Sequence, residues 1–484
     1  MIQSVDTNRM LIGGELVESA TNERMTTIDP ATGEPLGEVP AAGPEDVARA
    51  VDAAEEAQPA WAALSMASRG ALLREVANQM RERSEQILRT EVIDTGNTIT
   101  KMEADTEQAA VTIEFFAGLG PELKGETVPA SAENLHFTLR EPYGVVGRIV
   151  PFNHPIKFAS HALAAPLMAG NAVVVKPPDQ SPLSALILAE ICRDVLPAGV
   201  VNILTGRGYP AGDAIVRHPA IKRIAFTGSV PTGLAIARAA AETGIKHLTF
   251  ELGGKNPLIA FPDVAAETIA DAAVRGMNFS WQGQSCGSTS RLLLHESIYD
   301  DVVERIRERV SALKVGMPLE PDSDMGPINS EKQYGHVERM IASGRAEGAR
   351  LITGGERPVG EEFQRGYWME PTVFADVTPQ MTLAQEEVFG PVLSILKWRT
   401  EAEAIEIANG TRYGLTASIF TNDINTALRV TKAVKAGYVW VNGASGHFYG
   451  MPFGGQKSSG LGREEASEEL LSYTETKSVH VMLG

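Results

Sequence analysis

Short apolar segments alternate with helical segments through the middle of the chain. The apolar, β-branched stretches are VVGRIV (145–150), AVVVKP (172–177), VVNILTG (200–206), RIAFTG (223–228) and HLTFEL (247–252). Segments of roughly ten residues with helical patterns, such as HALAAPLMAG and LAIARAAAETG, separate them. Buried strands that alternate with helices predict an α/β fold whose parallel sheet is covered by helices on both faces.

The carboxyl ends of these strands are where chemistry is expected. Open parallel sheets bind ligands beyond the carboxyl ends of their strands, so the loops after Val150, Lys176, Gly206 and Gly228 form the candidate site region. A helical region rich in Ala, Glu and Arg precedes this sheet, from Pro44 to Glu103.

Two further parts of the chain lie outside this alternation. A second alternating block follows residue 286 and predicts a second α/β domain, with the segments RLLLHES, YDDVVERIRERVSAL, VLSILKW and GYVWVNG. By contrast, HFTLREPYG (136–144) and SYTETKSVHVMLG (472–484) alternate apolar and polar residues, as exposed or subunit-bridging strands do.

Length and charge narrow the possible functions. A chain of 484 residues exceeds what one hydrophobic core organises, so two or three domains are expected. The net charge of −18 repels nucleic acid and anionic membranes, and no run of about 18 apolar residues could span a bilayer. The start, MIQSVDTNRM, lacks a signal-peptide pattern, and two cysteines cannot form a disulfide framework. We therefore expect a cytoplasmic protein with a small-molecule partner.

The two cysteines have different neighbours. Cys192 lies in the apolar helical segment ILAEICRDVL, which indicates a buried structural residue. Cys286 lies in GQSCGS, where small polar neighbours allow close approach of a substrate and supply N–H donors that would lower the pKa of the thiol. For an isolated cysteine the buried structural role is the commoner alternative.

Two polar residues and two glycine-containing segments lie at strand ends. Glu251 ends HLTFEL just before two glycines, and its alternatives are a helix cap or a surface carboxylate. Asn153 could cap the next helix or donate a hydrogen bond to an oxyanion. GRGYPAG (206–212) is one residue longer than a G-x-G-x-x-G loop, and FTGS (226–229) leads into a helix N-terminus that would favour a pyrophosphate. Plain turns would explain both segments equally well.

Seven segments in order resemble the aldehyde dehydrogenase superfamily of NAD(P)-dependent enzymes. They are PFNHP (151–155), VVVKPPDQSP (173–182), FTGS (226–229), FELGGKNP (250–257), GQSCGSTSR (283–291), EEVFGPV (386–392) and PFGGQKSSGLGRE (452–464). The resemblance is to the hydrolytic members, which do not transfer the acyl group to coenzyme A.

The resemblance implies a mechanism through a thioester. Cys286 would attack the aldehyde, and Asn153 with the backbone N–H of Cys286 would hold the oxyanion of the thiohemiacetal. Hydride transfer to NAD would leave a thioester, which water activated by Glu251 would hydrolyse to the acid. Lys176 would belong to the same site. No metal is expected.

The resemblance also implies the cofactor contacts. Lys176 and Asp179 would lie on the adenosine ribose, where an acidic group accepts hydrogen bonds from the hydroxyls and repels a 2′-phosphate, so NAD is favoured over NADP. Glu387 would hold the nicotinamide ribose, Phe389 would lie near the nicotinamide, and Ser229 would face the pyrophosphate. The full expected set is Val150, Pro151, Phe152, Lys176, Asp179, Gly208, Gly212, Phe226, Gly228, Ser229, Leu252, Gly253, Gln333, Glu387 and Phe389.

The substrate positions differ from those of subfamilies with known preferences. In betaine-aldehyde enzymes, aromatic side chains enclose the quaternary ammonium of the substrate. The matching positions here are His154, His161, Ser280 and His447, which argues against betaine aldehyde as the substrate. His161 stands where succinate-semialdehyde enzymes carry an arginine, so a dicarboxylic semialdehyde is not supported, although a histidine or Lys157 could contact an anion. An apolar tunnel for aromatic or medium-chain aldehydes is expected from Phe152, Phe158, Trp281 and Phe448.

The expected architecture has three parts and an oligomeric assembly. A doubly wound, Rossmann-like NAD-binding domain spans 1–123 and 143–252, an α/β catalytic domain spans 253–458, and a small β oligomerisation arm combines 124–142 with 459–484. A homodimer or homotetramer follows from the resemblance. Two alternatives remain, a CoA-acylating semialdehyde dehydrogenase and a catalytically silent binding protein of the same fold.

Overall fold

The structure, a computed structural model, describes residues 8–483. The first seven residues, which belong to the predicted cofactor domain and to the segment without a signal-peptide pattern, lie outside the described residues. Gly484, at the end of the predicted arm, also lies outside them. No helix in the described part of the chain is long and apolar enough to cross a bilayer.

The strands of residues 8–483 are numbered in chain order. They are β1 (Met10–Ile12), β2 (Glu15–Val17), β3 (Arg24–Ile28), β4 (Pro35–Pro40), β5 (Thr127–Val128), β6 (Asn134–Pro142), β7 (Val145–Ile149), β8 (Ala172–Lys176), β9 (Val201–Ile203), β10 (Ile221–Thr227), β11 (His247–Glu251), β12 (Pro257–Ala260), β13 (Arg291–His295), β14 (Arg350–Thr353), β15 (Thr372–Ala375), β16 (Val392–Trp398), β17 (Thr416–Phe420), β18 (Tyr438–Val441), β19 (Gly460–Leu461) and β20 (Thr474–Met482).

The α-helices of the same residues are numbered likewise. They are α1 (Pro44–Ala63), α2 (Met66–Glu82), α3 (Ser84–Thr95), α4 (Ile99–Gly118), α5 (Pro155–Met168), α6 (Leu183–Val195), α7 (Asp213–Arg217), α8 (Val230–Ala241), α9 (Ala266–Gly276), α10 (Tyr299–Ser311), α11 (Glu331–Ala346), α12 (Thr382–Gln385), α13 (Glu401–Asn409), α14 (Ile424–Ala433) and α15 (Ser467–Leu471).

The first sheet has the strand order β19-β11-β10-β7-β8-β9-β1-β2, and its five central strands are parallel. Side chains on β8 alternate between two cores. Val173 and Val175 pack with α2, α4, α5 and α6, whereas Ala172 and Val174 pack with α1, α7 and α8. The predicted α/β fold, with a parallel sheet covered on both faces, is confirmed.

The second sheet has the order β14-β15-β16-β13-β12-β17-β18, and all its neighbours are parallel except β14. The predicted segments RLLLHES, VLSILKW and GYVWVNG supply β13, β16 and β18. Its two faces also pack against separate apolar cores. The second alternating block is therefore confirmed as a second α/β unit.

The third sheet is small and antiparallel, with the order β20-β6-β5. β6 and β20 pair along their whole length, from Thr474 opposite Pro142 to Met482 opposite Asn134. β19 also falls in the predicted arm, yet it pairs with β11 of the first sheet. The predicted domain boundaries stay predictions.

Candidate active site

Cys286 lies in the loop that precedes β13. The side-chain amide of Asn256 donates hydrogen bonds to the backbone carbonyls of Cys286 (2.7 Å) and Ser288 (2.9 Å). The Asn256 side-chain oxygen accepts a hydrogen bond from the backbone N–H of Thr416 (3.0 Å) at the start of β17. Asn256 thus fixes the cysteine loop to two neighbouring strands. The sequence analysis did not single it out, although it lies in the FELGGKNP segment.

The thiol of Cys286 is free and partly exposed. Burial, followed by the charges of Glu251 and Glu387, raises the pKa of the thiol to about 12, and Lys157 opposes this effect. The expectation that neighbouring N–H donors lower this pKa is wrong, because burial and the carboxylates outweigh them. The thiol therefore keeps its proton at neutral pH and needs a base before it can attack.

Asn153 and Cys286 each carry a hydrogen-bond donor that is unused within residues 8–483. Asn153 is buried in the loop between β7 and α5, where its backbone carbonyl accepts a hydrogen bond from Asn97 (3.0 Å). Its side-chain amide makes no hydrogen bond to any residue of 8–483, nor does the backbone N–H of Cys286. Both donors are available for an oxyanion.

Glu251 ends β11 as a buried carboxylate without a full set of partners. One side-chain oxygen, Oε2, has no hydrogen-bond partner within the described chain. The other, Oε1, lies 2.7 Å from where a Cβ at Gly454 would be. Burial and the carboxylates of Glu464 and Glu465 raise the pKa of Glu251 well above its usual value, against the opposing charge of Arg463. A raised pKa makes this carboxylate a stronger base once it is ionised.

Lys176 and Asp179, the residues expected at the adenosine ribose, lie at and just after the end of β8. Lys176 Nζ donates hydrogen bonds to the backbone carbonyls of Pro177 (2.8 Å) and Gly206 (2.7 Å), and burial lowers the pKa of Lys176 to about 8. Its side chain also lies against Gly212. The partly exposed carboxylate of Asp179 forms no hydrogen bond within residues 8–483. It is therefore free to accept hydrogen bonds from ribose hydroxyls.

The glycines of the two predicted loops are placed differently. Gly208 is exposed, and a Cβ there would meet no atom within 4 Å. A Cβ at Gly228 would lie 2.5 Å from the Phe226 ring, and the Gly228 N–H donates to the carbonyl of Glu251 (3.0 Å). Ser229 caps α8 by accepting a hydrogen bond from the N–H of Thr232 (3.4 Å). FTGS thus supplies both the tight turn and the helix N-terminus.

Glu387 lies directly over Gly253. A Cβ at Gly253 would overlap the Glu387 carboxylate, so a larger residue at this position would displace that carboxylate. Glu387 accepts a hydrogen bond from the N–H of Gly254 (2.9 Å), and burial raises its pKa to about 7. Leu252 donates its N–H to the carbonyl of Ser459 (2.8 Å). The expected nicotinamide-ribose residue is thus brought to the end of β11.

Phe389 and Gln333 belong to one local arrangement. Gln333 donates from its side chain to the carbonyls of Val388 (3.0 Å) and Phe389 (2.8 Å). The ring of Phe389 meets that of Phe152 edge to face, with centroids 5.7 Å apart. Gln333 therefore positions the loop that carries Phe389, and residues 150–152 lie on the facing side. The described residues contain no cluster of three or more His, Cys, Asp or Glu side chains able to hold a metal ion.

A cleft of about 990 Å³ opens beside the loop that carries Cys286. It is lined by Ser285 and Gly287, the neighbours of Cys286, and by His154, Lys157, Trp281 and His447. Of the four aromatic residues expected to form an apolar tunnel, Trp281 lines this cleft. Phe152 packs on Phe389, Phe158 packs against the core of the first sheet, and Phe448 is 74 % exposed.

Two of the positions that match the aromatic cage of betaine-aldehyde enzymes, His154 and His447, hold histidines that are paired with carboxylates. Nδ1 of His154 lies 2.5 Å from the buried carboxylate of Asp105. His447 Nδ1 contacts both carboxylate oxygens of Glu465, at 2.9 and 3.0 Å. Ser280 also lines the cleft. The expectation against betaine aldehyde stays a prediction.

His161 lies in a buried ion network. Its Nε2 is 2.7 Å from the carboxylate of Glu469, and its Nδ1 is 3.8 Å from Glu464. Glu464 also pairs with Arg148 (3.0 Å). His161 is thereby engaged on the protein side and is absent from the residues that line the cleft.

Comparison with known proteins gives consistent matches. Residues 16–479 match the model of the aldehyde dehydrogenase family. Aldehyde dehydrogenase tropH of Talaromyces stipitatus is 45 % identical over 471 residues, which cover 96 % of this chain and 91 % of that protein.

Solved structures agree over nearly the whole chain. The NAD+ complex of an aldehyde dehydrogenase from Bacillus cereus is 39 % identical with a TM-score of 0.95, covering 98 % of this chain and 96 % of that one. Betaine aldehyde dehydrogenase from Staphylococcus aureus in complex with NAD+ is 34 % identical with a TM-score of 0.97, covering 100 % and 96 %. The chain therefore belongs to the aldehyde dehydrogenase family.

Proposed function

We propose that the protein oxidises an aldehyde to the carboxylic acid with NAD+ and water, through a thioester on Cys286. The observation that carries the proposal is the free, partly exposed thiol of Cys286, together with two donors that make no hydrogen bond within residues 8–483, the Asn153 amide and the backbone N–H of Cys286. The charge of Glu251 acts on the same thiol. A nucleophile, oxyanion donors and a hydrolytic base are the groups that this reaction requires.

Each residue acts at a definite atom. The sulfur of Cys286 bonds to the carbonyl carbon, and the thiol proton leaves to a base or to water. The Asn153 amide and the Cys286 N–H stabilise the negative oxygen that results. Later, Glu251 takes a proton from water so that the oxygen attacks the thioester carbon, and the acid leaves as the thiol is restored.

The cofactor residues fit NAD+, which the two solved relatives contain. When bound, NAD+ accepts the hydride that leaves the carbonyl carbon, which turns the thiohemiacetal on Cys286 into a thioester. Lys176 and Asp179 would hold the adenosine ribose, and Glu387 the nicotinamide ribose. The free carboxylate of Asp179 accepts from ribose hydroxyls and repels a 2′-phosphate, which favours NAD+ over NADP+.

Acid formation in the absence of coenzyme A tests the hydrolytic step. Because Glu251 supplies a base for water, we expect NADH and carboxylic acid in equal amounts from an aldehyde, with no requirement for coenzyme A. The measurement is NADH absorbance with chromatography of the acid. An absolute requirement for coenzyme A would favour the CoA-acylating alternative. If no aldehyde of a broad panel yields NADH, the catalytically silent binding protein is favoured.

The carbon skeleton of the substrate is proposed to be aromatic or of medium chain length. Trp281, Val274, Phe279 and Leu313 supply apolar surface to the cleft. The same aldehyde panel, with aromatic, medium-chain and two-carbon members, measures this. A preference for the two-carbon aldehyde would contradict it.

We also infer that the protein forms a homodimer or homotetramer in the cytoplasm. The outer face of the third sheet exposes Leu135 and Leu139 on β6, at 42 % and 43 %, beside the paired β20. Light scattering should therefore give two or four times the mass of one chain, and Leu135→Asp with Leu139→Asp should lower it. A monomeric parent protein would contradict the assembly. Both cysteines are free, which fits a reducing compartment, and cell fractionation would test that location.

A further inference from the structure

Lys157 occupies a particular place in the substrate cleft. It is the third residue of α5, which follows the loop that carries Asn153. It lines the same cavity as Ser285 and Gly287, the residues on either side of Cys286. A molecule whose carbonyl group lies at Cys286 would therefore share this cavity with the Lys157 ammonium.

The Lys157 ammonium has no partner within the described chain. It makes no hydrogen bond, and no carboxylate lies within 4.0 Å of it among residues 8–483. The two acidic groups that face it have other partners, because Asp105 is bonded to His154 and Glu465 to His447. An ammonium has three donors, and that of Lys157 is partly exposed to the cleft. Water or a ligand must supply the acceptors.

The side chain stays positively charged. Burial alone would lower the pKa of Lys157, but the charges of Asp105 and Glu465 outweigh burial and raise it above its usual value. Both acids keep pKa values below their usual range despite burial, because of their histidine partners and Lys157 itself. The cleft thus holds a fixed ammonium with unused donors.

We propose that Lys157 binds an acidic oxygen of the substrate, so that the enzyme acts on aldehydes that also carry a carboxylate or a phenolate. This rests on the proposed function, because it takes Cys286 as the point where the aldehyde reacts. An ammonium in a cleft of low dielectric favours an anion that can accept two or three hydrogen bonds. Trp281 beside it offers an apolar face for the carbon skeleton.

The position of His161 removes the main objection to an acidic substrate. The expectation against dicarboxylic semialdehydes depends on His161, which stands where succinate-semialdehyde enzymes carry an arginine. His161 is committed to Glu469 and Glu464 and does not line the cleft, so it carries no information about an anion bound there. Lys157 supplies the cation from a different turn of the same helix.

Matched substrate pairs test the proposal in the full-length protein with NAD+. The first pair is para-formylbenzoate and its methyl ester. The second pair is para-hydroxybenzaldehyde and its methyl ether, and this pair is assayed at a pH above the pKa of the phenol. We expect kcat/KM to favour the acidic member of at least one pair. Lys157→Met should lower that ratio about 10- to 100-fold, since hydrogen bonds to charged groups contribute free energies of that size. Lys157→Arg should retain part of it.

The ratio of kcat/KM between the two members of a pair isolates binding of the anion. Any effect of Lys157 on the Cys286 thiol changes kcat/KM for both members and cancels in this ratio. Lys101 provides a matched control, because it lines the same cleft but is exposed, with its ammonium 5.9 Å from the Trp281 ring centroid. Lys101→Met should change the ratio much less. Equal rates within both pairs, an unchanged ratio in Lys157→Met, or an equal loss in Lys101→Met would overturn the inference. If neutral and acidic aldehydes alike yield no NADH, the proposed function itself fails.

Discussion

Replacing Cys286 with serine should lower NADH formation by a factor on the order of 10⁴ to 10⁶, as removal of a covalent nucleophile does elsewhere. A serine hydroxyl in this partly buried site, near Glu251 and Glu387, would hold its proton even more firmly than the thiol, whose pKa is already raised. The measurement is kcat with a good aldehyde, together with NAD+ binding by calorimetry, which should persist.

Cys192 provides the matched control for this variant. It is buried in α6, within the core of the first sheet, and burial raises the pKa of its thiol. Cys192→Ala should therefore keep the activity, with some loss of thermal stability from the small cavity. Undiminished turnover by Cys286→Ser, or equal loss in both variants, would contradict the assignment of the nucleophile.

Replacing Glu251 with glutamine should separate oxidation from hydrolysis. The amide cannot take a proton from water, so the first turnover would produce up to one NADH per site and the acyl group would then persist on Cys286. We expect steady-state turnover to fall by about 10²- to 10⁴-fold, the usual contribution of a general base. Rapid-mixing absorbance and intact-protein mass spectrometry would detect the burst and the acyl adduct.

The pH dependence of deacylation follows from the same carboxylate. Glu251 acts when ionised, and its pKa is raised well above its usual value by burial and by Glu464. The rate of acyl release should therefore fall as the pH drops through that raised pKa, and this limb should be absent in Glu251→Gln. An added nucleophile such as hydroxylamine should restore turnover to the variant.

Glu468 offers a control carboxylate, because it is exposed on α15 and is not among the charges that raise the pKa of Glu251. Glu468→Gln should show neither burst nor altered pH limb. If Glu251→Gln accumulates no acyl adduct and turns over like the parent, another group activates the water.

The positions of the main site residues could be predicted because a parallel sheet has a simple rule. The predicted apolar segments 145–150, 172–177 and 247–252 supply β7, β8 and β11, whose carboxyl ends meet at one edge. Asn153, Lys176 and Glu251 follow from that rule and from the family resemblance. The helices on both faces follow from the same alternation of apolar segments.

Contacts between distant segments could not be predicted, because strand periodicity says nothing about which loops meet. The Asn256 side chain bonds to the carbonyl of Cys286 across 30 residues, and Gly254 bonds to Glu387 across 133. Each contact depends on which loops the strand order of the second sheet brings side by side.

Side-chain environment was also beyond the sequence pattern. Phe448 was predicted to line an apolar tunnel because it is aromatic, but it is largely exposed. His161 was predicted to face the substrate, but it is buried among carboxylates. The raised pKa of Cys286 likewise depends on carboxylates from three separate segments.

The pairing of β19 with β11 has a consequence for interpreting shortened forms of the protein. Gly460 lies opposite Glu251, and Ser459 accepts the N–H of Leu252, so the segment leading to β20 is also the edge that holds the base. Removal of the C-terminal residues from 459 onward would take away the arm strand and the support of Glu251 together. Loss of activity in such a truncation could not be assigned to failed assembly, whereas substitutions on the exposed face of β6 would test the proposed association and leave that edge strand intact.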